Sequence, residues 1–201
     1  MLTLISSKTC PFAHRVEIVR KLAHMEDEIK VIFVDPIFGK EGWMFEPSDS
    51  SFAPHSVKEL YNRYEPQRDR NFSIPILINE ENDDFYTDSL KICGMLMPSL
   101  FKDEYKDLLQ DFDTRFSKAH YLAGHAKTDD DYASNYKLVF EYLRDLNDTL
   151  TNTYILGDEM TIIDVVVYAH LCRFDAIYYT LFKLNDKHIR DYPFIHNIYC
   201  E

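Results

Sequence analysis

Cys10-Pro11-Phe12-Ala13 is the stretch of this sequence whose residue types most directly imply chemistry. It lies between a short apolar run, Leu2 to Ser6, and a segment with helical spacing. Proline is favoured at the first position of a helix, which puts Cys10 at the N-cap. The unpaired N–H groups and the positive end of the helix dipole then face the sulfur, and both favour thiolate over thiol. The expectation is a Cys10 thiol that ionises below the ordinary value of about 8.5, with His14 and Arg15, one turn on, adding positive charge. A thiolate so placed is a nucleophile or a disulfide-exchange centre. Ala13 occupies the position of a second motif cysteine, so no internal Cys-x-x-Cys disulfide forms. The mixed disulfide must then be resolved from outside, with glutathione as the natural thiol. The competing reading is a buried cysteine acting as a small hydrophobe.

Other segments bear on the same chemistry. Ser73-Ile74-Pro75 opens a strand, where a proline gives up no ladder hydrogen bond. In a thioredoxin-like topology Pro75 would be cis and would turn the Ile74 backbone outward, toward the cysteinyl part of a bound peptide. The alternative is an ordinary trans proline at a strand start. In Thr87-Asp88-Ser89 a strand meets a helix. The helix N–H groups and the Ser89 hydroxyl suit a carboxylate, and Asp88 suits an ammonium, so a γ-glutamyl group fits both. Plain N-capping by Asp88 or Ser89 explains the same residues. Thr161-Ile162-Ile163-Asp164 reads as a capping box that nucleates a buried helix, with no catalytic part for Asp164. Tyr121, Tyr178 and Tyr179 would line a pocket for an aromatic substrate, against a default of ordinary packing in a chain with 14 Tyr.

The elements that position these residues follow from hydrophobic spacing. Pro11 to His24 is expected to be a helix with Phe12, Val16, Val19, Leu22 and Ala23 on its inner face. Ile29 to Val34 reads as a doubly buried strand, and residues 36–54 as a long loop. His55 to Tyr64 is a short helix, Ile74 to Ile78 and Asp84 to Thr87 are strands around an acidic turn, and Ser89 to Met97 is a helix. The order β-α-β, α, β-β-α is the thioredoxin arrangement. From Leu100 the strand signals stop. Helices are expected from Leu100 to about His120, from Tyr132 to Leu150 and from Thr161 to Phe182, then a last one from Asp186 to Asp191 that ends at Pro193. Within the second, Val139, Leu143, Leu146 and Leu150 form a bundle stripe. The domains are therefore expected at 1–97, thioredoxin-like α/β, and 98–201, an all-α helical bundle.

Bulk properties bound the partners. The 201 residues carry a net charge of −12, which repels nucleic-acid backbones but leaves room for a small anion held by local N–H groups. No run of about 18 apolar residues occurs, and Met1 to Ile5 reads as a strand with no basic leader, so a cytoplasmic protein is expected. Cys10, Cys93, Cys172 and Cys200 are far apart in sequence, as in a reduced protein with free thiols and no metal site. Five Gly are few for an all-β fold.

Taken together, the sequence resembles the glutathione S-transferase superfamily, specifically its Xi class, the glutathionyl-hydroquinone reductases, with the Omega class more distant. The resemblance runs nearly end to end. It is carried by Cys10 to Arg15, Ile18 to Leu22, Gly42-Trp43-Met44-Phe45, Leu60-Tyr61, Ile74 to Leu77 and Asp88-Ser89. Further carriers are Tyr121, Ala123-Gly124, Leu156-Gly157 and Thr161 to Asp164. Its most specific part is Arg173-Phe174-Asp175-Ala176-Ile177-Tyr178, followed by Phe182-Lys183 and Asp191-Tyr192-Pro193. The resemblance implies glutathione as co-substrate, held by Phe12, Trp43, Ile74, Asp88 and Ser89. It implies that Cys10 removes glutathione from glutathionyl-hydroquinones through a mixed disulfide, with Tyr121 and Tyr178 at the aromatic group. Arg173 and Asp175 are expected to be a structural pair behind them. It also implies a homodimer. An Omega-like thiol transferase or dehydroascorbate reductase, or a non-catalytic binding protein of the same fold, are the alternatives. Phe12 stands where the reductases usually have Trp, and Asp88 where they have Glu. The family's N-terminal extension and C-terminal tail have no counterpart here, so a shortened helical domain is expected.

Overall fold

The computed structural model describes residues 2–45, 54–69 and 71–199. It forms two compact units, residues 1–99 and 100–201. In the first, β1 (Leu2–Ser6), α1 (Pro11–Leu22) and β2 (Ile29–Phe33) make a crossover unit in which β1 and β2 are parallel. After α2 (Val57–Tyr64), β3 (Ile76–Asn79) returns antiparallel to β1 and pairs with β4 (Asp84–Tyr86), before α3 (Ser89–Leu96). The sheet order β2-β1-β3-β4 is the thioredoxin order that the element sequence predicts. The turn before β4 closes because Asn79 Oδ1 accepts from the Glu81 N–H at 3.1 Å and Asp83 takes a left-handed φ of 55°.

The sheet, α1 and α2 build a core from Ile5, Ala13, Ile32, Val57, Leu60, Tyr61 and Ile76, all fully or almost fully buried. Each such aliphatic side chain contributes roughly 1.5–3 kcal/mol by leaving water. The inner face of α1 differs from the expected one. Ala13, Arg15, Val16 and Val19 are buried, while Phe12 and Leu22 are only half-buried. Ala13 is small enough to let the helix lie close to the sheet, and it is Ala13 that enters the core cluster.

The second unit is helical: α4 (Lys106–Phe112), α5 (Ala119–Gly124), α6 (Asp129–Thr149), α7 (Ile162–Leu171), α8 (Tyr179–Leu181) and α9 (Pro193–Tyr199). Val139, Leu143, Leu146 and Leu150 are all buried, as their spacing predicts. The single helices expected over 100–120 and 161–182 are each interrupted. A widened π-turn at Asp113–Lys118 joins α4 to α5, and another at Phe174–Tyr178 follows the break at Cys172 and Arg173. No Gly or Pro marks either place, so periodicity reads through them. The expected stop at Pro193 is a start. Tyr192 is extended, as a residue before proline prefers, and Pro193 begins α9, where its missing N–H is no loss. Among the described residues no helix is long and apolar enough to cross a membrane.

Candidate functional site

Cys10 sits at the junction of β1 and α1. The loop that delivers it is tightly tied. The Cys10 N–H donates to the Ser7 carbonyl at 3.1 Å, and the Ser7 and Thr9 hydroxyls lie 3.0 Å apart. Thr9 Oγ1 in turn donates to the Pro36 carbonyl at 3.1 Å, fixing the loop against the chain leaving β2. Cys10 is extended, with φ −91° and ψ 117°, and is the N-cap of a helix opened by Pro11, as expected. Its side chain makes no cap hydrogen bond, and the first turn of α1 holds no acidic residue. Nothing in that turn cancels the positive end of the dipole, the setting in which a thiolate is favoured. The residue is partly exposed.

Opposite Cys10 runs the segment before β3. The Ile74–Pro75 bond is cis. Cys10 Sγ lies 3.9 Å from the Ile74 carbonyl oxygen. Buried Tyr61 holds this segment by donating its hydroxyl to the Ser73 carbonyl at 2.9 Å, a support that no spacing or motif signals. Cys10 and Trp43 both pack against the core cluster that contains Ile74. Trp43 meets Phe38 edge-on at 5.0 Å, and its carbonyl accepts from the Val57 N–H at 3.0 Å. Cys10, Trp43 and Ile74 thus meet at one core cluster.

Asp88 and Ser89 open α3. Asp88 caps it, accepting from the Lys91 N–H through Oδ1 at 2.8 Å, so the structural role weighed from sequence is present; the side chain is otherwise exposed. Ser89 is buried, and its Oγ accepts from both Nε and Nη2 of Arg15, at 2.9 and 2.5 Å. The Arg15 guanidinium reaches α3 and stacks 4.8 Å above the Phe12 ring. Cys93, further along α3, is fully buried, and that burial pushes its thiol up to about 12 despite the pull of Arg15. It is an inert cysteine.

In the helical unit, Tyr178 and Tyr121 belong to one run of ring contacts. Tyr178 stacks on Phe182 at 5.6 Å, Phe182 meets His125 at 5.5 Å, and His125 stacks on Tyr121 at 4.2 Å. Tyr121 is 56% exposed, whereas Tyr178 is 5% exposed. Tyr179 faces elsewhere, stacked on His188 at 3.9 Å. Tyr178 also packs on His120, whose ring is driven down to about 4 by burial and stays neutral. Arg173 donates to the Ala169 carbonyl at 2.7 Å, and Asp175 accepts from the Ile189 N–H at 2.8 Å, so both tie backbone segments together. Asp164 closes the expected capping box. Its Oδ2 accepts from the Thr161 N–H and hydroxyl, both at 2.8 Å, and its Oδ1 from the Ile155 N–H at 2.8 Å. Among the described residues no group of three His, Cys, Asp or Glu is placed to hold a metal.

Residues 9–97 match the family described as glutathione S-transferase, N-terminal domain. A Schizosaccharomyces pombe protein named glutathione S-transferase omega-like 2 is 32% identical, over 96% of this chain and 70% of that protein. YqjG of Escherichia coli, named a glutathionyl-hydroquinone reductase, is 29% identical over 98% of this chain and 68% of its own length. Its glutathione-bound structure superposes with a TM-score of 0.87 at 28% identity, covering 98% of this chain and 71% of that one. Glutathione transferase Xi 1 of Trametes versicolor superposes with a TM-score of 0.91 at 28% identity, over 99% of this chain and 78% of that one.

Proposed function

This chain belongs to the glutathione S-transferase superfamily, and we propose that within it the protein removes glutathione from glutathionyl-hydroquinones, with Cys10 as the catalytic residue. The observation that carries the reading is the partly exposed Cys10 at the N-cap of α1, its sulfur 3.9 Å from the Ile74 carbonyl. The likeness to a named reductase, and to that protein's glutathione-bound structure, supports the choice of substrate.

The Cys10 thiolate attacks the sulfur of a glutathione thioether on an aromatic ring. The S–S bond forms as the ring C–S bond breaks. That electron pair stays with the ring carbon, which takes a proton and leaves as the hydroquinone. The Cys10 and glutathione sulfurs are thereby each oxidised by one electron to the disulfide level, and the ring carbon is reduced by two. A second glutathione, as thiolate, attacks the Cys10–glutathione disulfide, releasing glutathione disulfide and regenerating the Cys10 thiolate. Trp43 and Phe12 flank the tripeptide, the Ile74 backbone pairs with its cysteinyl part, and Asp88 and Ser89 take the ammonium and carboxylate of its γ-glutamyl end. Tyr121 and Tyr178 contact the aromatic group and supply the ring proton. The reaction is cytosolic, the protein works as a homodimer, and no metal takes part.

The 32% identity to a protein named omega-like favours a second reading, a thiol transferase or dehydroascorbate reductase using the same Cys10 chemistry. Turnover of a glutathionyl-hydroquinone made from menadione, set beside dehydroascorbate and a small mixed disulfide, separates the two. Release of the hydroquinone with one glutathione disulfide per turnover, abolished in Cys10→Ala, supports the reductase. Activity confined to the other two substrates assigns the second reading, and failure of all three removes both.

A further inference from the structure

Arg15 is a buried cation that the proposed reaction leaves unused. It is 7% exposed and sits in the middle of α1, and the Nε–Nη2 edge of its guanidinium is turned onto a single oxygen, Ser89 Oγ, on α3. A serine hydroxyl has two lone pairs and one proton to donate. Two N–H groups at 2.9 and 2.5 Å occupy both lone pairs. The hydroxyl is then left with one role, that of donor, and among the described residues no acceptor takes its proton. A free serine hydroxyl rotates to suit either a donor or an acceptor; this one is fixed for an acceptor. The fork also sets a positive charge directly behind the first turn of α3, where the medium is protein and the interaction is poorly screened. That offsets locally the repulsion that a chain of net charge −12 exerts on any anion.

We infer that Arg15 is the positioning residue for glutathione recognition: it commits the Ser89 hydroxyl to donating to the α-carboxylate of the γ-glutamyl group. The inference rests on the reading of α3 as the γ-glutamyl site. It assigns Arg15 an effect on one functional group of the ligand, which a purely structural role would not have.

The test compares glutathione with 4-aminobutyryl-cysteinyl-glycine, which lacks only that carboxylate. Binding of both peptides is measured by calorimetry on wild type, Arg15→Met, Arg15→Gln and Ser89→Ala. A hydrogen bond to a charged group predicts that wild type prefers glutathione by on the order of tenfold to a hundredfold. Arg15→Met and Arg15→Gln are expected to bring that ratio down at least threefold, leave affinity for the analogue within about twofold, and raise the KM for glutathione with kcat kept. Ser89→Ala should do the same. A folded Arg15→Met or Arg15→Gln that keeps the wild-type ratio overturns the inference. A wild type that binds both peptides equally overturns the α3 reading itself, so the two failures are distinct. The Gln variant guards against misfolding of the Met variant, because it keeps one N–H donor for Ser89.

Discussion

Asp164 is the carboxylate that closes the capping box of α7. It is 3% exposed and takes three donors, the Thr161 N–H and hydroxyl on Oδ2 and the Ile155 N–H on Oδ1. Asp164→Ala strands two backbone N–H groups, since the Thr161 hydroxyl is free to turn away. Each stranded donor costs about 1–3 kcal/mol, and the lost cap adds about 1 kcal/mol. The expected loss is therefore about 3–7 kcal/mol, a large part of the roughly 5–15 kcal/mol that holds a domain folded. Asp164→Asn keeps one carbonyl oxygen and presents an NH₂ to the remaining donor, so it should lose about 2–3 kcal/mol. Urea unfolding measures both. Trp43, the single tryptophan, lies in the first unit, so its emission reports that unit, while far-UV circular dichroism reports mainly the helical one. The dichroism midpoint should fall in the order wild type, Asn, Ala. A loss under about 1 kcal/mol for Asp164→Ala would refute the claim that this carboxylate anchors α7.

Acid should weaken the helical unit through His120. Its folded pKa of about 4 lies below the unfolded value of about 6.5, so burial favours the neutral ring. That stability is fully present above about pH 6.5 and is lost as pH falls through 4, at most about 3 kcal/mol. His120→Phe, which no longer titrates, should flatten the urea midpoint between pH 6.5 and 4.5; an unchanged slope would assign the acid sensitivity elsewhere. Gly124 lies under the Phe182 ring, which occupies the space that a Cβ would need. Gly124→Ala is expected to cost about 1–3 kcal/mol, and Phe182→Leu in the same chain should recover part of it. Additive losses in that double variant would show that the two residues do not clash.

The first unit was legible because its signals are local. Cys10-Pro11 marks a helix start, Ile29 to Phe33 is apolar but for Lys30, and the Asn79–Asp83 turn separates two short runs. The doubly buried strand expected at Ile29 to Val34 is instead an edge strand, with Lys30 exposed and Val31 and Phe33 half-buried, because β2 pairs with β1 alone. The capping box was legible for the same reason. The Arg15–Ser89 fork was not, because it joins residues 74 positions apart and a buried arginine has the same letter as an exposed one. The tie between Tyr61 and the Ser73 carbonyl is hidden likewise, since only tertiary packing selects which of 14 tyrosines is buried. At Pro193 the sequence signal was present but ambiguous. A proline stops the helix before it and starts the one after it, and here it starts α9.

The central claim is that Cys10 forms the glutathione adduct, and mass spectrometry measures it directly. The protein is incubated with glutathione disulfide at neutral pH, and the adduct is located by peptide mapping. The account predicts one glutathionyl group on the peptide bearing Cys10 in wild type. It predicts none on Cys93, whose thiol is buried and pushed up to about 12, and loss of the adduct in Cys10→Ala. A Cys10 that stays unmodified while another cysteine takes the glutathione would contradict it.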